Sequence, residues 1–417
     1  MDRTCSMSGG GIHLSFQGLP EAPLQVGSPF LLRLMERHFQ RWPFIVEDEE
    51  GKSLFRVEEK GRGFRLCSSA GREFFDTPAE MLCDLGISLA ETFVASSPGL
   101  QCLHSSAVSF SAGSEEKLAV FPNVNRAGKS LLAACLMMQG ARLFADDLLG
   151  VTEEGEGVSF GLPPRLRLPL PSSASRLAGV LEKMPGLGDL RYHFLYAEKY
   201  IALFGEKMPI GAVVLPRWST GREGVRLKRI SASDGLQCLA YQFQMREGQA
   251  GAVFELARRL CGSLPLWMLE YGSPEEAADF LMQEAGRLFS AAGEGEGVVQ
   301  AVGFLTEEDR LSCSRHGPGR RAFQSDRNLR WLRAPGMRVH EAGSFAYLIP
   351  KEQDSIFGVD GIGLAVVALL SEPLSISEAA GLLADVYPQT GRERLESDMS
   401  LFFRSLCGQG LIVPVLR

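Results

Sequence analysis

Long apolar runs are missing from this 417-residue chain: no segment offers the ~20 uncharged apolar residues that a membrane-crossing helix needs. Its opening residues, MDRTCSMSGGGIHLSFQG, also lack the uninterrupted apolar core of a secretory signal. Paired cysteine spacing is missing too. The nine cysteines (Cys5, Cys67, Cys83, Cys102, Cys135, Cys238, Cys261, Cys313 and Cys407) are an odd number with no C-x-x-C among them. That argues against a disulfide scaffold or a zinc cluster and for a reducing interior. Nor is there an excess of positive charge. The 43 Lys and Arg stand against 50 Asp and Glu, a formal net charge of -7, so no broad electropositive surface is expected. These absences predict a cytoplasmic protein with neither nucleic acid nor membrane as a partner.

What is present is apolar material for a sizeable core, 45% hydrophobic against 22% charged, in a chain too long for one typical domain. Residues 1–100 read as an N-terminal α+β segment. Strand-like stretches at Ser53–Val57 and Gly63–Cys67 precede Thr77-Pro78-Ala79-Glu80, which offers an N-cap hydroxyl, a proline at the first helical position and a glutamate three residues after the cap. Apolar residues continue that helix through Val94. From His104 to Asp147 the order is strand (His104–Phe110), strand (Lys117–Phe121), loop, helix (Lys129–Gln139, closed by Gly140) and strand (Ala141–Ala145). The alternation predicts a parallel-sheet α/β architecture. Ile210–Leu215 reads as another buried strand, and Ser273-Pro274-Glu275-Glu276 as the capped start of a helix running to about Leu288. The glycine-rich stretch from Ala291 and the aperiodic Ser312–Arg321 mark residues 291–330 as a linker. Residues 331–417 then read as a small, winged-helix-like α+β domain. Its strands are expected at Met337–Val339, Phe345–Ile349 and Ser355–Val359, and its helices over about 361–370, 377–386 and 392–407.

One segment carries chemistry. Asn123-Val-Asn125-Arg126-Ala127-Gly128-Lys129-Ser130 follows an apolar strand and, with Leu131, opens a helix, the setting that gives G-x-x-x-x-G-K-[ST] its mechanism. Backbone N–H groups and the positive helix end would hold the phosphates of ATP, Lys129 would neutralise their charge, and the Ser130 hydroxyl would bind Mg²⁺. Asn123 replaces the first glycine of the pattern, and Arg126 stands where small residues are common; asparagine tolerates left-handed backbone better than most side chains. Asp146 and Asp147 follow the next strand, where one carboxylate can hold Mg²⁺ and the other accept a proton from an attacking hydroxyl. Each residue also has a plainer reading: Gly128-Lys129-Ser130 as an ordinary helix start, the aspartates as a solvated acidic turn, His104 as a hydrogen-bonded core residue.

Taken in order, Leu103-His104-Ser-Ser-Ala-Val108, the Ala127-Gly-Lys-Ser130 loop and Phe144-Ala-Asp-Asp147-Leu-Leu-Gly-Val151 resemble the catalytic domain of HPr kinase/phosphorylase and its smaller relatives. The resemblance covers roughly Leu100 to Leu288, a domain of residues 101–290, and implies an α/β P-loop kinase domain with ATP and Mg²⁺ as cofactors. It places His104 near the transferred phosphate, gives Lys129 and Ser130 to nucleotide and metal, and divides metal positioning and hydroxyl activation between Asp146 and Asp147. Leu162-Pro-Pro-Arg165-Leu-Arg167-Leu resembles a segment that follows the paired aspartates in many relatives. It implies an arginine, Arg165 or Arg167, that stabilises the transferring group, against the alternative that both face solvent. The full extended signature of true HPr kinases is missing, so HPr is not the expected substrate.

Residues 331–417 resemble a PqqD-like peptide-recognition domain, through Phe345–Ile349, Ser355–Val359, Gly361-Ile-Gly-Leu, Ile376-Ser-Glu-Ala-Ala380 and Leu395–Leu411. That resemblance implies a partner, the leader of a ribosomally made precursor peptide added as one more strand, with Phe357 and Arg394 as groove candidates. An ordinary winged-helix core, DNA-binding included, is the alternative. Relatives of the kinase domain often assemble as homo-oligomers. The combined expectation is a peptide-modifying serine/threonine kinase; a phosphorylase or free-serine kinase, and an inactive nucleotide-sensing scaffold, are the alternatives.

Overall fold

The computed structural model describes residues 12–16, 19, 24–47, 54–68, 71–112, 115–122, 128–184, 186–246, 248–290, 328–342, 345–351 and 355–415. Helix and strand occur in near-equal shares, 37% and 35%, which makes the chain mixed α/β. It divides into two compact units, one of residues 1–231, 242–244 and 260–299, the other of residues 232–241, 245–259 and 300–417. The stretch read as a linker, 291–330, lies outside the described residues except for its last three. Among the described residues, no helix is long and apolar enough to cross a membrane.

In the first unit a six-stranded sheet runs in the order 44–47, 12–16, 24–26, 55–60, 63–68 and 71–75. The expected strand at Ser53–Val57 begins at Phe55 and continues to Lys60. The helix Pro78–Ser96 starts as its sequence predicts, with Thr77 Oγ1 accepting the Glu80 N–H at 3.2 Å and Glu80 complementing the positive helix end. Its buried face, Leu82, Leu85 and Leu89, joins Phe39 and Trp42 in one apolar core.

The second sheet runs 156–158, 148–151, 101–112, 115–122, 207–218, 266–271 and 225–229. Parallel pairing is confined to Glu115–Pro122, Lys207–Trp218 and Leu266–Tyr271; the expected parallel sheet fails elsewhere. The reason is chain length. Only two residues separate Gln101–Ala112 from Glu115–Pro122, so the pair can only be antiparallel, whereas a parallel pair needs a crossover of a dozen or more residues. Arg142–Ala145 and Leu148–Val151 lie end to end along one edge of Gln101–Ala112, both antiparallel to it, with Ala145 opposite Ala107 and Leu148 opposite His104. Asp146 and Asp147 therefore do not cap a strand of a doubly wound sheet. They interrupt the pairing opposite Ser105 and Ser106. The helix Lys129–Met138 is apolar on nearly every side, and Leu132 through Met137 are all buried between the sheet and its neighbours. The helix opened by Ser273 ends at Gln283, and a separate turn, Ala285–Leu288, completes the stretch read as one helix.

In the second unit, Arg338–Ala342, Phe345–Ile349 and Phe357–Asp360 form an antiparallel sheet, and a smaller one joins Leu374–Ser375, Arg330–Arg333 and Ile412–Pro414. The helices Gly361–Leu369, Ile376–Val386 and Arg392–Gly408 enclose a core that includes Trp331, Val366, Leu383 and Phe403. Ser375 and Glu378 close a capping box, the Ser375 hydroxyl accepting the Glu378 N–H at 3.2 Å and Glu378 accepting the Ser375 N–H at 2.9 Å.

Candidate active site

The C-terminal ends of Glu115–Pro122 and Arg142–Ala145 flank the same few residues of Gln101–Ala112. The fold therefore delivers the head of the helix Lys129–Met138, the paired aspartates and His104 to one place. Of the phosphate-loop candidates, Asn123, Asn125, Arg126 and Ala127 lie outside the described residues. Gly128 is the N-cap, at φ 87, and supplies no side-chain cap to the first turn. The Leu131 side chain packs against the sheet core, so only its backbone is free to serve a phosphate.

Lys129 is 5% exposed, and its Nζ lies 3.4 Å from His104 Nε2. Burial lowers its pKa, an effect that Asp147 and Asp146 partly offset. His104 Nδ1 is 3.2 Å from Gln242 Oε1, and the His104 N–H donates to the Gln242 carbonyl at 2.7 Å. An amide oxygen can only accept, so this contact places a proton on Nδ1, and Nε2 faces both Lys129 and Asp147.

The two aspartates have different surroundings. Asp146 is buried and accepts from Ser106 Oγ at 2.9 Å, from the Arg165 N–H at 2.9 Å and from the Ser130 hydroxyl. Burial and the charge of Asp147 nevertheless push its carboxyl up to about 6. Asp147 takes a left-handed backbone, φ 71, which costs about 1 kcal/mol or more for a residue other than glycine. Its Oδ2 lies 3.3 Å from Arg165 Nη2 and its Oδ1 3.7 Å from His104 Nε2. Burial acts to raise its pKa too, but His104, Arg165 and Lys129 outweigh that and hold the carboxyl below its usual range.

Arg165 is fixed on three sides: Nη2 on Asp147, Nη1 donating to Cys83 Sγ at 2.6 Å, and the guanidinium 4.6 Å from the Tyr192 ring centre. Arg167 is exposed and reaches only Tyr192, whose hydroxyl is 3.5 Å away. The structure thus brings His104, Lys129, Ser130, Asp146, Asp147 and Arg165 together and leaves Arg167 outside. Phe357 and Arg394 belong to the second unit. Phe357 pairs with Leu348 and packs partly into that unit's own core, while Arg394 is exposed, 4.0 Å from Asp398.

Sequence reasoning missed Ser106, Gln242 and Cys83. Ser106 had a signal, since period two in a strand sets it on the same face as His104. Gln242 and Cys83 arrive from 138 and 82 residues along the chain from their partners, and nothing local announces them.

Among the described residues, no group of three or more His, Cys, Asp or Glu side chains is placed to hold a metal ion alone. The oxygens of Ser130 and Asp146 do suit a hard cation that completes its shell from phosphate and water. Burial first, and the charge of Asp147 second, raise the Asp146 pKa, and a cation at its carboxylate would oppose both. In comparisons with known proteins, no family model matches the chain and no curated protein matches it. The functional reading therefore rests on the site's own residues.

Proposed function

We propose that this chain is an ATP-dependent kinase that transfers the γ-phosphoryl group to a Ser or Thr hydroxyl of a ribosomally made precursor peptide. In this reading the first unit holds an HPr-kinase-like P-loop site, and the second is a PqqD-like domain that captures the leader in the cytoplasm. The observation that carries it is one cluster ahead of a buried helix: Lys129 3.4 Å from His104, His104 3.7 Å from Asp147, and Asp147 3.3 Å from Arg165. A lysine, an arginine and two carboxylates at the head of a helix are the parts phosphoryl transfer requires.

The acceptor oxygen bonds to the γ-phosphorus as the bridging P–O bond breaks, and its electron pair leaves on ADP. Lys129 and the first-turn N–H groups hold the phosphates, and Arg165 balances charge on the group in flight. The acceptor's proton goes to Asp147, whose side chain is 32% exposed and reachable, while Asp146 is enclosed by Ser106, Ser130 and the Arg165 N–H. Mg²⁺ held by Ser130 and Asp146 supplies positive charge to the β- and γ-phosphates when bound. Tethering through the leader raises the acceptor's effective concentration, so the site need hold the acceptor only weakly.

Incubation of the full chain with Mg²⁺, ATP and a candidate precursor should add one phosphate, read by mass spectrometry. Lys129→Ala should lower kcat/KM by about 10²–10³-fold, the range seen when one charge-stabilising donor is removed. Undiminished transfer by that variant would sink the reading.

A further inference from the structure

Beneath the head of the helix lies a buried phenol that the mechanism above does not use. Tyr271 ends the strand Leu266–Tyr271 and pairs with Trp218 at the end of the parallel neighbour. It is 0% exposed, and its hydroxyl has no hydrogen-bond partner among the described residues. The hydroxyl is aimed at Gly128, only 2.8 Å from the position a Cβ there would take, with Trp218 Cβ 3.4 Å from the same point. Trp218 is itself pinned, its indole N–H donating to the Gly272 carbonyl at 3.0 Å. Two strand ends thus fix the pair under Gly128, whose backbone is left-handed, and no side chain fits at position 128 without a shift.

A buried hydroxyl without a partner is uncommon, because the folded protein forgoes the hydrogen bond that water gave the unfolded chain. Such a group calls for an explanation, and a bound ligand that accepts its proton is one. Burial also raises the phenol's pKa well above its ordinary value, so the group stays a neutral donor.

We propose that Tyr271 is a positioning residue of the phosphate site: its O–H is a donor without an acceptor in the ligand-free protein, and it gains one when a nucleoside triphosphate seats at Gly128. The proposal rests on the nucleotide-binding reading above. It gives Tyr271 two tasks, excluding any side chain at position 128 and favouring the occupied state over the empty one.

The test compares full-length wild type with Tyr271→Phe by thermal melting without ligand and by calorimetric titration with ATP and Mg²⁺. Phenylalanine removes only the hydroxyl and leaves Trp218 Cβ against position 128, so the ligand-free melting temperature should be unchanged or higher. The Kd for ATP should rise roughly three- to tenfold, the value of one recovered hydrogen bond. In turnover assays KM for ATP should rise with kcat little changed. Equal affinity in the two proteins overturns this inference alone, as does a lower ligand-free melting temperature, which would mean that the hydroxyl already has its partner. If wild type does not bind ATP, the nucleotide reading fails and this inference with it.

Discussion

The two units of this chain bury different things. The first encloses His13, His38, Ser105, Ser106, Lys129, Asp146, Gln242, Glu270 and Glu275 among other polar side chains, whereas among the described residues of the second only Ser375 is polar and buried. Ser375 is an N-cap and needs no explanation beyond its helix. Burying an ionisable group is costly unless partners are built around it, and those at His104, Asp146 and Asp147 were supplied from five separate segments of the first unit. A core gains little stability from such groups over well-packed apolar residues, so their concentration in one unit fits the site proposed there. The proposed function assigns the second unit recognition without reaction.

The hardest test of that contrast stays inside the first unit. Arg165 and Arg167 lie two residues apart on one short strand, yet only Arg165 touches the carboxylates. Arg165→Ala should lower kcat/KM for phosphoryl transfer by about 10²-fold, and Arg167→Ala by less than about twofold, as for an exposed side chain outside the cluster. Equal losses from both would remove the distinction between a built site and a merely polar surface. Cys83→Ala should fall between them, since it frees one side of the Arg165 guanidinium without removing its charge.

Those two arginines also show how far the sequence could be read. Caps were legible because they are local: Thr77 and Ser273 each sit three residues before the N–H they accept. The helix Lys129–Met138 and the strands on either side of it were legible from periodicity, and the pairing of Lys129 with the aspartates from the motif order. Strand direction was misread, because an α/β alternation looks the same whether a strand returns through a crossover or lies along the edge of an earlier hairpin. Arg165 could not be told from Arg167, because the choice is made by Cys83 and Asp147, brought in by tertiary packing. Nothing in the sequence singles out Tyr271; its place is known only from Gly128 lying against it.

A second test asks whether the second unit recognises without reacting. Arg394 is exposed on the helix Arg392–Gly408, and charge reversal there should leave stability within about 0.5 kcal/mol. Arg394→Glu should raise KM for a leader-bearing peptide by roughly threefold to tenfold with kcat unchanged, and should have no effect on the same peptide without its leader. A loss of kcat on both peptides would place the second unit in the reaction rather than beside it.

The smallest expected effect concerns stability and separates the units by acid. His38 is fully buried, its Nδ1 3.3 Å from the Tyr196 hydroxyl, and desolvation lowers its pKa from 6.5 to about 3. Between those values the unfolded chain binds a proton that the folded chain refuses. Stability from the neutral ring is therefore complete above the unfolded pKa and is lost as pH falls toward the folded one. The loss is about 0.8 kcal/mol at pH ~6 and grows by ~1.4 kcal/mol for each further unit. His340, in the second unit, is shifted in the same direction, chiefly by desolvation, but is only half-buried, so solvent screening weakens its contribution. Urea titrations at a series of pH values, with each unit followed separately by hydrogen exchange, should show the first unit losing stability earlier than the second, and His38→Asn should flatten that slope. Parallel slopes in the two units, or a slope unchanged in the variant, would show that buried ionisable groups do not set the acid response of the first unit.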